Sequence, residues 1–135
     1  MQKDFSKHWK SSKQPRKQRK YNYNAPLHIK KRLLSTHLSK ELIKNYKTRN
    51  ISVKKGDTVE ILRGQFRKIK GKITRVNLKK TRVYVEGAQL SKRDGTKAYY
   101  PIHPSNLRII ELDLTDKKRK QKLEKLGKNV SQKAN

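Results

Sequence analysis

The sequence predicts a mainly β fold: a small barrel of about five short strands, preceded by short helices and set between basic extensions. Three observations lead there. From Ile51 onward apolar residues recur at every second position, as in Val59 and Ile61, Val83 and Val85, and Leu107 and Ile109, which is the period of half-buried strands. Turn signals separate these runs at Lys55-Gly56-Asp57, at Gly64, at Asn77 to Lys80, at Asp94-Gly95 and around Pro101 and Pro104. Strands so short and so often interrupted suit a barrel better than a parallel sheet. Both ends of the chain, by contrast, are dense in charge and poor in apolar spacing.

The 135 residues have an apolar fraction of 31%, too low for the whole chain to fold around a core. Lys and Arg number 38 against 10 Asp and Glu, a formal charge of +28, so an isolated compact state repels itself unless a polyanion neutralises it. Nucleic acid is the polyanion these numbers suggest. The absence of cysteine excludes disulfides, cysteine zinc sites and thiol nucleophiles. No apolar run approaches the ~18 residues of a membrane span or forms the core of a signal peptide, so the expectation is a cytoplasmic protein with no membrane contact.

Composition shifts divide the chain into a basic N-terminal arm (1–25), short helices (26–50), the barrel (51–112) and a basic tail (113–135). In the arm, SKQPRKQRK packs Lys13, Arg16, Lys17, Arg19 and Lys20 too densely for a packed helix of its own, and it reads as a segment that orders on a partner. Pro26 is a good first-turn residue, and LHIKKRLL after it suits a short helix. A second helix is predicted from LSKELIKNYK, where Leu38, Leu42, Ile43 and Tyr46 share a face and Ser39 can cap. The tail reads either as a basic helix through Leu123 and Leu126 ending near Gly127, or as a solvated charged segment. Trp9 suits base stacking or anchorage on another protein.

Nothing in the sequence supplies catalysis. Gly64 to Lys72 is not a phosphate-binding loop, because six residues separate Gly64 from Gly71 and Ile73 stands where Ser or Thr is needed. His8, His28, His37 and His103 are scattered, with no partner at metal-ligand spacing. Asp57 and Glu60 come nearest to a carboxylate pair, but one lies in a turn and the other on an alternating strand, where charge balance or a surface role is the ordinary reading. The expectation is no enzyme, no metal and no cofactor.

The connection after Ile61 is more informative. Arg63, Arg67, Lys68, Lys70 and Lys72 crowd a hairpin that needs only ~2–5 turn residues, and like charge there costs stability unless phosphates are present. Gly56-Asp57-x-Val59-x-Ile61-x-x-Gly64 followed by Lys70-Gly71-Lys72-Ile73 and Val76 resembles the KOW motif of ribosomal proteins and transcription elongation factors, which implies a Src-homology-3-like barrel. Lys68 stands where that family commonly has glycine. SKQPRKQRK, NAPLHIKKRLLSTHLSKELIKNY and DGTKAYYPIHPSNLRIIEL extend the likeness, in order, over roughly Ser12 to Leu114. Together they resemble the archaeal and eukaryotic branch of the universal large-subunit ribosomal protein family numbered twenty-four (twenty-six in eukaryotic counting).

That resemblance implies a structural protein of the large ribosomal subunit that binds the 5′ region of its rRNA near the polypeptide exit and acts early in assembly. Its partners would be large-subunit rRNA and neighbouring ribosomal proteins, with no homo-oligomer expected. The implied RNA contacts fall on the arm from Lys13 to Lys20, on the loop from Arg63 and Gly64 through Arg67, Lys68, Lys70 and Gly71 to Lys72, and on His103, Ser105 and Asn106. Tyr21 or Tyr23 can stack on an unpaired base. Further RNA-binding candidates are His28, Lys30, Lys31 and Arg32 in the helical segment, Lys54 and Lys55 ahead of the first alternating strand, and Arg75, Lys79, Lys80 and Arg82 around the next hairpin. Arg forks suit phosphate oxygens, and affinity should fall by roughly 0.7 to 0.9 log units per log unit of salt for each phosphate neutralised. Two other readings are a KOW module acting in transcription, which usually carries an additional α/β domain, and a general DNA-coating protein, which would not need the ordered turns after Asp94.

Overall fold

The structure, a computed structural model, describes residues 5–6 and 11–131; Trp9 and His8 lie outside the described residues. In chain order the elements are α1 (Pro15–Asn24), α2 (Leu27–Leu33), β1 (Ser35–Leu38), α3 (Lys40–Tyr46), β2 (Asn50–Ser52), β3 (Thr58–Ile61), β4 (Lys70–Asn77), β5 (Arg82–Val85), β6 (Gln89–Ser91), β7 (Lys97–Tyr99), a 3-10 turn (Pro104–Asn106), β8 (Leu107–Glu111) and α4 (Lys117–Ser131).

The chain is β-rich, as its alternation predicts, but the expected closed five-stranded barrel is replaced by an open six-stranded sheet in the order β2-β1-β8-β3-β4-β5, with β6 and β7 as a separate ribbon. The extra strand is β1, which the sequence hides between two helical patterns; it runs parallel to β8, with His37 opposite Arg108. Beyond β5, Val83 and Ile102 exchange two backbone bonds of 2.9 Å. An isolated pair of this kind folds the chain ahead of β8 back over the sheet edge without extending the ladder.

Alternation sets the core. Val59 and Ile61, Val83 and Val85, and Leu107 and Ile109 turn to one side and are buried, joined by Leu34, Leu38, Val53, Ile73, Ala88 and Ile102. Leu42 and Ile43 of α3 pack against this cluster. The Ser39 side chain caps α3 by accepting from the Leu42 N–H at 3.3 Å, as the sequence predicts.

The basic ends are more ordered than the sequence suggests. Lys13 to Lys20 was expected to have no helix of its own, yet α1 forms with Pro15 in its first turn and no buried residue, because Lys, Arg and Gln are good helix formers even without a core. α4 begins where Asp116 Oδ1 accepts from the Lys118 N–H at 2.9 Å and passes through Gly127 to Ser131. Of the two readings of the tail, the helix holds, with Leu123 fully buried, but it runs beyond the expected end near Gly127.

What anchors α4 decides between the two expectations for Asp57. Of charge balance and a surface role, charge balance holds: Asp57 is fully buried and paired with the nearly buried Arg119. Its carboxylate also accepts backbone N–H bonds from Lys54 at 2.9 Å and Asp113 at 3.0 Å. One side chain thereby ties the entry to β3, the exit from β8 and the first turn of α4.

Candidate nucleic-acid interface

The connection from β3 to β4 is held by backbone bonds, with Ile61 N–H donating to Ile69 O at 3.0 Å and Lys68 N–H to Ile61 O at 2.8 Å. Such closure forces tight turns within it. Gly64 has φ +95° and Lys68 has φ +72°, so Lys68 occupies the left-handed conformation that glycine adopts freely and a lysine adopts at a cost of about 1–2 kcal/mol. Arg63, Arg67 and Lys68 are all exposed there.

A second segment meets this turn. Leu62 N–H donates to Asn106 O at 2.8 Å, and Thr36 Oγ1 of β1 donates to Pro104 O at 3.1 Å, a buried bond. The 3-10 turn is therefore fixed to the sheet at both ends. Between the two segments lies a cleft of about 230 Å³ whose lining includes Arg63, Gly64, Gln65, Phe66, Arg82, Tyr100, His103 and Asn106 and, among the described residues, no carboxylate. Arg63, Gly64, Arg82, His103 and Asn106 were expected to bind RNA from three separate stretches, and the fold brings them together. Phe66 and Tyr100 were not among the candidates; their rings lie 5.3 Å apart and tilted by 48°.

His103 is tuned by this setting. Burial pushes its imidazole below the ordinary value, and the charge of Arg82 adds to the effect. Ser105 N–H points at His103 Nδ1 at 3.3 Å, and Ser105 Oγ lies 2.7 Å from the same nitrogen. A nitrogen that accepts leaves the ring proton on Nε2, so the neutral ring presents a donor.

The remaining candidates form other groups. Lys31, Arg32 and Lys54 border an open groove of about 650 Å³ between α2, β2 and α4, together with Lys118 and Lys122, which sequence reasoning did not single out. Lys31, Lys54, Lys55 and Arg75 border a neighbouring groove of about 560 Å³. Lys54 is also ion-paired with Asp116, whose carboxyl is held below the usual range chiefly by that bond. Arg16, Lys17, Arg19 and Lys20 line exposed α1, and exposed Lys13 precedes it. Exposed His28 lies on α2 and Lys79 and Lys80 in the β4–β5 turn.

Several candidates have partners within the protein. Lys30 Nζ donates to Tyr23 O at 3.2 Å and Lys79 O at 3.3 Å, bracing the helical segment against the β4–β5 turn. Tyr21 packs its ring 4.9 Å from that of Phe5. Arg75 lies 5.9 Å from the centre of the Tyr84 ring. Lys70 stands opposite Glu60, whose carboxyl is lowered mainly by its bond to Arg108 and further by the Lys70 charge. Lys72 is exposed on β4. At Gly71 a Cβ would overlap the carbonyl oxygen of Glu86, so the crossing of β4 and β5 already accounts for the glycine.

Among the described residues, no group of three His, Asp or Glu side chains is placed to hold a metal ion, and no helix is long and apolar enough to cross a membrane.

Comparison with known proteins agrees with the sequence resemblance. Residues 12–126 match the family described as the ribosomal proteins L26 of eukaryotes and L24 of archaea. The large ribosomal subunit protein uL24 of Methanosphaera stadtmanae is 53% identical over 112 residues, covering 83% of this chain and 96% of that protein.

Proposed function

The chain belongs to the family of ribosomal proteins L26 of eukaryotes and L24 of archaea, and on that basis we propose that it is a structural constituent of the large ribosomal subunit that binds large-subunit rRNA. Its contacts fall in the 5′ region of that RNA, near the polypeptide exit, and it supports assembly in the cytoplasm beside neighbouring ribosomal proteins. The observation that carries the RNA contact is the cleft where Arg63 and Arg82 converge with His103 and Asn106 and, among the described residues, no carboxylate lines the wall. A cleft of that lining attracts phosphate and repels nothing on it.

The action is electrostatic and not catalytic. α1, the β3–β4 connection and the lysine-lined grooves present separate positive surfaces, and each phosphate neutralised releases condensed counterions. RNA segments that repel one another when bare are thereby held together, and binding stabilises the RNA fold and the protein by mass action. The β3–β4 and β4–β5 ladders and the Val83–Ile102 pair support the two RNA-facing segments.

The test is a binding comparison between transcripts of the 5′ and 3′ portions of large-subunit rRNA at matched salt. The 5′ transcript should bind more tightly; equal affinity would contradict the assignment.

A further inference from the structure

We propose that the cleft between the β3–β4 connection and the 3-10 turn takes a single unpaired RNA nucleotide, with its base against Tyr100 and Phe66 and its phosphate on Arg63 and Arg82. The proposal rests on the RNA-binding reading and narrows it to one chemical form of ligand at one place.

Tyr100 is 41% exposed beside a half-buried Phe66, and the 48° tilt between the rings leaves them unstacked on each other. A partly exposed aromatic ring beside arginines is a platform on which an unpaired base can stack while its phosphate meets the guanidinium groups. The cleft's volume of about 230 Å³ suits one base and its phosphate. The wall also offers an edge to read. His103 Nε2 has no protein partner among the described residues, its Nδ1 being engaged by Ser105, so that nitrogen is open to the edge of a base. Asn106 has an amide that both donates and accepts. Paired RNA would use the arginines alone, because its bases are stacked within the helix. An acidic peptide would likewise leave the Tyr100 face and the His103–Asn106 edge without a flat partner.

The experiment uses the full chain with oligouridylate, a poorly stacked single strand, and an RNA duplex of the same length, at salt sufficient to screen the exposed arm. Tyr100→Ala is expected to weaken oligouridylate roughly tenfold while changing duplex affinity less than about twofold. Tyr100→Phe should bind as the parent does. Tyr100→Leu, which keeps an apolar contact with Phe66, should behave as Tyr100→Ala and so separates stacking from folding. Equal losses on both RNAs, or no loss on oligouridylate, overturn the proposal. So does a polyglutamate peptide that displaces oligouridylate and itself depends on Tyr100. A chain that binds neither RNA defeats the RNA reading as a whole, whereas a chain that binds both without preference defeats only the nucleotide site.

Discussion

Arg119 of α4 donates to both carboxylate oxygens of Asp57, at 2.5 and 2.8 Å, and the pair is sealed from water at the start of β3. The Arg119 guanidinium also donates to Asp113 O at 2.9 Å, while its Nε has no partner among the described residues. Desolvating two charges is expensive, so the pair is weak evidence for net stability, but losing one partner leaves the other buried and uncompensated.

Arg119→Ala should accordingly cost about 3–5 kcal/mol, measured by urea unfolding. Leu123→Ala, which empties a buried site on the same helix, should cost about 2–5 kcal/mol. A change under ~0.5 kcal/mol for both, the ordinary range of surface substitutions, would mean that α4 does not dock in solution.

Gly71→Ala separates a structural glycine from an RNA-contacting one. Because the new methyl would overlap Glu86 O, stability should fall by about 1–3 kcal/mol, while RNA affinity of the folded fraction stays within about twofold. Normal stability with weakened RNA binding would reverse that assignment.

The basic residues of the hairpin should not contribute equally to the salt dependence. Arg67 is exposed with no carboxylate partner among the described residues, whereas Lys70 faces Glu60. Arg67→Gln should flatten the slope of log affinity against log salt by about 0.7–0.9, and Lys70→Gln should flatten it less. Reversing charge at Arg67, Lys68 and Lys70 together should weaken binding; in the isolated chain, repulsion relieved at Arg67 and Lys68 is offset in part where the reversed residue 70 faces Glu60. Identical slopes for parent and triple variant would remove this hairpin from the interface.

His103 supplies a pH dependence with a definite sign. Its folded value lies below the ordinary 6.5, so below pH about 6.5 the unfolded chain takes up a proton before the folded chain does. Stability from this group is thus present above that value and is lost as pH falls through the depressed folded one. Protonation also ends acceptance of the Ser105 N–H by Nδ1. NMR titration should place His103 below the ordinary 6.5, and His103→Gln should remove this part of the acid sensitivity.

What the sequence made legible was whatever depends on local period and capping. Val59 with Ile61 and Val83 with Val85 announce their strands by alternation, and Ser39 announces the start of α3. What it concealed depends on distant chain meeting distant chain. β1 is only four residues long between two helices and is stabilised by pairing with β2 and β8. Arg119 looks like one more charge in a basic run until the fold places it over Asp57, 62 positions earlier. For the candidate interface, charge pointed to Arg63 and Arg82, but nothing local to Phe66 or Tyr100 signals that their rings meet in the same cleft.

Integral membership of the large ribosomal subunit is decided by sedimentation of a lysate through a sucrose gradient, before and after a high-salt wash, with the chain quantified by mass spectrometry. Near-stoichiometric recovery with the large subunit is expected after the wash, because many phosphate contacts and a folded RNA site act together to retain the chain. Complete loss into the light fractions in salt, or migration with RNA polymerase, would overturn that membership.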